Sequence, residues 1–219
     1  MVTDPTENYA LLTGEFPEKA GTALSLINLK TNTEILSHDQ LPSNLNSAAF
    51  LDGQHLAVLH NGNKLSIINI ASGETVQNTT LSISPTSFLP DLAVAKNGKT
   101  ISIFDKFKLI TVDAKHISLE IESSTIEAGD TSSRTAMRAA GYKHALLEVD
   151  FYSGAKIFNM ETLEVEFDFN NKYHRDADEL FRMIPSPDGE SILAVYAGQN
   201  SRTGSSHRID LWQRVQAQP

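Results

Sequence analysis

Between Ser47 and Val76 three short apolar runs are each stopped by a glycine turn: Asp52-Gly53, Asn61-Gly62-Asn63 and Ala71-Ser72-Gly73-Glu74. This punctuation constrains the fold more than any other feature of the chain. Runs this short suit strands and are too short for helices. Asn and Gly tolerate the positive φ of a tight primed turn, so Asn61-Gly62-Asn63 predicts a hairpin. The stretch reads as strands ending at Phe50-Leu51, over His55–His60, over Lys64–Ile70 and over Thr75–Ile83.

The pattern recurs. "ALSLINLKTNTEIL" (Ala23–Leu36), "KLSIINIASGETVQ" (Lys64–Gln77), "AKIFNMETLEVEF" (Ala155–Phe167) and "HRIDLWQRVQ" (His207–Gln216) each join an apolar strand to a polar break and a further strand. "LITVDAKHISLEIE" (Leu109–Glu122) has the same rhythm, and the anchors recur roughly every 41 to 52 residues. The strands ahead of them recur too: "DLAVAKNGKTISIFD" (Asp91–Asp105), "RMIPSPDGESILAVY" (Arg182–Tyr196) and, more loosely, "AMRAAGYKHALLEVDF" (Ala136–Phe151) parallel "AAFLDGQHLAVLH". Four strands per unit at this period predict an all-β chain, a β-propeller of four-stranded antiparallel blades.

"SPDGESILAVY" followed by "RIDLWQ" (Ser186–Gln213) resembles the propellers of the WD-repeat-like and YVTN-like superfamily. The Gly-His and Trp-Asp signatures are absent, since Trp212 follows Asp210-Leu211, so the resemblance is to a divergent member. It implies a single propeller domain or propeller fragment over 1–219, with about five blades near 8–40, 45–83, 86–124, 134–170 and 179–219. The first unit opens on "YALLTGE" (Tyr9–Glu15), as though its inner strand were missing, and only "RVQAQP" remains to complete the last. The expectation is therefore a portion of a larger, seven-bladed propeller, with a closed five-bladed ring as the alternative. A helical turn is the alternative for "HRDADELFRM" (His174–Met183) and "RTAMRAAG" (Arg134–Gly141).

Composition excludes several chemistries. With 18 Lys and Arg against 27 Asp and Glu, the net charge is −9. Nucleic acid and anionic membrane surfaces are not expected partners. The chain has no cysteine, which removes disulfides, thiolate catalysis and cysteine-ligated metals. No apolar run is long enough to insert in a membrane. "MVTDPTENYALL" lacks the basic and apolar regions of a secretory leader, which favours the cytoplasm.

Candidate site residues are few. The seven histidines (His38, His55, His60, His116, His144, His174 and His207) form no short chelating pair, and no metal site is expected. His55 and His60 lie five residues apart on one strand and so face opposite ways. Asp52, Asn61, Asn97 and Asp188 each sit beside glycine, where turn chemistry accounts for them better than a calcium loop. Gly98-Lys99-Thr100 mimics the end of a phosphate loop but lies between two strands. There is no Gly-x-Ser-x-Gly elbow. Asp176, Asp178 and Glu179, beside Arg175 and Arg182, read as a solvated surface. Two links are long, Glu15–Gly21 and Ala197–His207, and the second gathers Arg202, His207 and Arg208 into a small basic cluster. Those three residues are the candidate interaction site.

The functional expectation is a non-catalytic protein–protein interaction scaffold with no cofactor, binding a protein partner or assembling with further blades or another chain. The alternatives are a propeller enzyme, lactonase-like or quinoprotein dehydrogenase-like, and a carbohydrate-binding propeller lectin. An enzyme of that kind gathers carboxylates or cofactor ligands at the inner strand ends, where this chain offers Pro90, Ala139 and Ser186. A lectin repeats exposed aromatics blade by blade, and this chain has one Trp and five Tyr without a period.

Overall fold

A computed structural model of the chain describes residues 2–3, 8–15, 22–36, 42, 44–83, 91–95, 97–105, 108–118, 120–125, 136–139, 144–150, 154–169, 178–186, 188–200 and 204–213. Among these residues every regular element is a strand. The strands form five separate antiparallel sheets, each drawn from one continuous stretch of chain. The first holds β1 (Val2–Thr3), β2 (Tyr9–Glu15), β3 (Thr22–Asn28) and β4 (Thr33–Leu36). The second holds β5 (Leu45–Phe50), β6 (His55–His60), β7 (Lys64–Asn69) and β8 (Thr75–Thr80). The third holds β9 (Asp91–Val94), β10 (Thr100–Phe104), β11 (Lys108–Asp113) and β12 (Glu120–Thr125). The fourth holds β13 (Ala136–Ala139), β14 (His144–Asp150), β15 (Gly154–Asn159) and β16 (Val165–Phe169). The fifth has three strands, β17 (Asp178–Pro185), β18 (Ser191–Asn200) and β19 (Gly204–Gln213).

Strand order within each sheet follows chain order, so every sheet is a meander. A pleated strand sends successive side chains to opposite faces, and the interior strands use both. On β6, Leu56 and Val58 meet the first sheet, while Ala57 and Leu59 meet the third. On β10, Ile101 and Ile103 meet the second sheet, while Phe104 meets the fourth. The core is thus four apolar layers between consecutive sheets. Leu11, Leu26 and Leu36 join Leu56 and Ile68 between the first and second. Leu65 and Ile67 meet Ile103 and Ile110 between the second and third. Leu109 meets Phe158 between the third and fourth. Leu146 and Phe169 meet Met183 and Ile192 between the fourth and fifth.

The first strands of successive sheets are also neighbours: β9 lies against β5 and β13, and β13 against β17. Ser47 of β5 donates its hydroxyl to Asp91 of β9. Gln77 of β8 donates its side-chain amide to the Lys115 carbonyl at 3.0 Å. These bonds tie β5 to β9 and β8 to the turn between β11 and β12. A fully buried Leu, Ile or Phe contributes about 1.5–3 kcal/mol. An isolated sheet would forfeit most of that, so the stack is the stable unit.

The turns explain the repeat. Asn28, Asn69, Asp113 and Asn159 end the third strand of the first four sheets. Each side-chain oxygen accepts the backbone N–H groups two and three residues on: Lys30 and Thr31, Ala71 and Ser72, Lys115 and His116, Glu161 and Thr162. An Asx side chain that mimics a backbone turn is what starts each reversal. In three of these turns the next residue, Asn32, Gly73 or Leu163, takes positive φ. At Gly73, φ 72°, space is tight as well, since an added Cβ would stand 2.9 Å from Leu36 Cδ2. In the hairpin between β6 and β7, Asn61 and Gly62 both have positive φ, as their sequence predicts.

Three expectations are corrected. The first sheet does have a first strand: Val2 pairs with Leu11 and Thr3 with Ala10. Two residues are too few to carry a readable alternation. The helical alternatives fail, because Asp178–Pro185 and Ala136–Ala139 are strands. So short a helix cannot repay its nucleation, whereas pairing with β18 and β14 satisfies the backbone. Residues 134–135, 140–141 and 174–177 lie outside the described residues. Finally, Ala197–His207 is mostly strand: β18 runs on to Asn200, β19 starts at Gly204, and Gly198 pairs with Ser206, Gln199 with Ser205 and Asn200 with Gly204.

Candidate interaction surface

The fifth sheet has two unlike faces. Ile192 and Trp212 pair across β18 and β19, as do Ala194 and Asp210, and Met183 pairs with Ala194. This face is buried on the fourth sheet, where the Trp212 ring meets Phe169 edge-on at 5.7 Å between centroids. The opposite face carries two cross-strand rows. One is Ile184, Leu193 and Leu211; the other sets Val195 between Arg182 and Ile209, and Ser191 pairs with Gln213 at the end of the same face. The aliphatic members have the chemistry of the packed faces of the second and third sheets. Yet Ile184 is 45% exposed, Ile209 64% and Leu211 63%. Other large apolar side chains that reach solvent are Leu29 in the turn after β3, Val76 on β8, and Val165 and Phe167 on β16. Scattered exposure of that kind is ordinary on a protein surface, and a contiguous apolar face is not.

The three residues of the expected basic cluster fall at or beside the end of this ribbon. Arg202 lies outside the described residues. His207 pairs with Ala197 and Arg208 with Tyr196 in the ladder. His207 and Arg208 are consecutive strand positions, and such positions alternate across a sheet. The apolar face was the missed feature. Its signal was present in "SILAVY", which is apolar at both parities, as "HLAVLH" is. A strand of that kind needs a neighbour on each side.

The remaining candidates are held by local structure. Asp52 Oδ1 accepts the Gln54 and His55 N–H groups at 2.7 and 2.8 Å, and the His55 ring lies 3.1 Å away. Burial pushes the Asp52 carboxyl up, but the Gln54 N–H, the His55 ring and the His55 N–H together hold it below its ordinary 3.8. Asn97 accepts Lys99 N–H, and Asp188 accepts Glu190 N–H and the Ser186 hydroxyl. Gly98-Lys99-Thr100 turns from β9 into β10.

His60 is buried. Its Nδ1 accepts from the Asn61 amide at 3.1 Å, which leaves Nε2–H to donate to Ser66 Oγ at 3.0 Å. Burial, with the Lys64 charge added, lowers its pKa below the ordinary 6.5, so the ring is a neutral structural group near neutral pH. His144 Nε2 lies 3.0 Å from Glu166 Oε2, in ion-pair range but off the hydrogen-bond direction. His38 and His174 lie outside the described residues. Among the described residues no three His, Asp or Glu side chains converge as a metal site, and no helix is long and apolar enough to cross a membrane. Compared with known proteins, the chain matches no family model and no curated relative.

Proposed function

We propose that this chain is a divergent β-propeller, or a portion of one, that serves as a non-catalytic protein–protein interaction scaffold. The observation that carries the reading is the serial packing of the sheets. Each meander lays its first strand beside the first strand of the next, from β5 through β9 and β13 to β17, the relation expected of blades around a shared axis. Among the described residues no apolar layer joins the fifth sheet to the first. An array whose last face is uncovered suits a protein that assembles with something else. A rigid stack also holds broad surfaces in fixed relation without any motif of its own.

Affinity purification from the native host tests the scaffold reading. The expected result is a reproducible stoichiometric partner that rebinds the purified chain in solution. Reproducible failure to recover one contradicts the scaffold.

A further inference from the structure

We propose that Ser66, His60, Asn61 and Asn44 form a hydrogen-bond relay that displays the protonation state of a buried imidazole at an exposed amide. The inference does not depend on the scaffold reading. The relay begins inside the second sheet, where His60 and Ser66 are both buried. His60 Nε2 lies 3.0 Å from Ser66 Oγ, and Asn61 Nδ2 lies 3.1 Å from His60 Nδ1. Asn44 Nδ2 donates in turn to Asn61 Oδ1 at 3.0 Å. Both asparagines are exposed, and both hold positive φ. Their backbones are tied together, since Asn61 N–H donates to the Asn44 carbonyl at 2.9 Å. Gly62 N–H donates to Asn46 Oδ1 at 2.8 Å, which anchors the same hairpin. With the backbones fixed, the side chains answer the ring by turning their amides.

Every link points one way. Asn44 gives an N–H to Asn61, Asn61 gives one to His60, and the ring gives Nε2–H to Ser66. A proton taken up at Nδ1 turns that atom from acceptor to donor and sets it against the Asn61 NH2 group. Turning the Asn61 amide brings Oδ1 to the ring, but its NH2 then meets the Asn44 NH2, which must turn as well. Asn44 therefore shows solvent its amide oxygen while the ring is neutral and its amide nitrogen once the ring is charged. Ser66 accepts from Nε2–H in both states, so the change runs outward only. His60 shares with Leu56 and Val58 the face of β6 that meets the first sheet. Tyr9 is the titratable side chain packed into that layer among the described residues. Lys64, in register with His60, is the charge that acts on the ring. Neither draws a proton to the imidazole, so the relay reverses in acid, below the ordinary 6.5 of histidine.

Heteronuclear NMR of the full chain across a pH titration tests the proposal. At neutral pH the His60 proton should sit on Nε2. On acidification the side-chain amide signals of Asn61 and Asn44 should move with the same midpoint as the His60 ring. Asn61→Asp keeps a residue type that accepts positive φ but supplies a carboxylate, which accepts and does not donate. It should raise the His60 midpoint and leave the Asn44 amide still, because the Asn44 N–H keeps its acceptor while the ring titrates. A wild-type ring whose neutral form carries its proton on Nδ1 overturns the proposal. So does an Asn44 amide that stays still while wild-type His60 titrates, or an unchanged His60 midpoint in a folded Asn61→Asp variant. The wild-type titration decides the matter even where the variant does not fold.

Discussion

The third and fifth sheets are built to one plan and differ in their neighbours. Every side chain of β10 from Thr100 to Phe104 is buried, with one set on the second sheet and the other on the fourth. On β19, Trp212 packs inward while Ile209 and Leu211 stand out in solvent. The residue types are the same, so apolar patterning states what a face requires and leaves open what meets it. Stability should follow the neighbour and not the side chain.

The largest effect should come from truncating equivalent side chains on the two sheets. Ile103→Ala opens a cavity between two sheets and should cost about 2–5 kcal/mol in urea unfolding. Leu211→Ala, measured at a concentration where copies stay apart, should change stability by no more than about 0.5 kcal/mol. Equal losses at the two positions would mean that the fifth sheet is covered within a single chain.

A polar pair inside the packed region sharpens the contrast. Ser102 Oγ and Thr111 Oγ1 lie 2.9 Å apart, fully buried on the side of the third sheet that faces the fourth. Ser102→Ala orphans the Thr111 hydroxyl and should cost about 1–3 kcal/mol. Adding Thr111→Val should recover much of that loss, and a double-mutant cycle reads the coupling directly.

Turn geometry should matter less. Gly73→Ala forces a Cβ into left-handed backbone and against Leu36, for about 1–2 kcal/mol in the unfolding midpoint. A cost near zero would show that the bend after Asn69 tolerates a different path.

The smallest effect is a pH dependence. The folded chain holds His60 neutral below its ordinary 6.5, whereas the unfolded chain takes up a proton there. The stabilisation is complete above 6.5 and is lost as the pH falls from 6.5 toward the lowered folded value. Asp52 acts in the same direction only in stronger acid, as the pH falls below its ordinary 3.8 and through the lowered value. Comparing urea midpoints near pH 7.5 and 5.5 should show a slope in the wild type that His60→Gln flattens.

Much of the strand pattern was legible. The second strand of the second sheet was read to the residue, His55–His60, because turn chemistry bounds it on both sides. Asp52, Asn97 and Asp188 behave as the turn residues they resemble. The ribbon from Ala197 to His207 was misread because Gly, Gln, Asn and Ser suit loops, and ladder pairing overrode that local preference. Asn28, Asn69, Asp113 and Asn159 stand in four of the five repeating anchors, and only their hydrogen bonds show that each starts the turn. The openness of the fifth sheet had no sequence signal, since an apolar face looks the same covered or bare.

Amide hydrogen exchange, resolved by strand at a concentration where copies stay apart, tests the stack most directly. The account predicts the slowest exchange in β6, β7, β10 and β11, whose sheets are packed on both faces, and markedly faster exchange in β19. Protection in β19 equal to that in β10 would contradict it, because the fifth sheet would then be enclosed within the single chain.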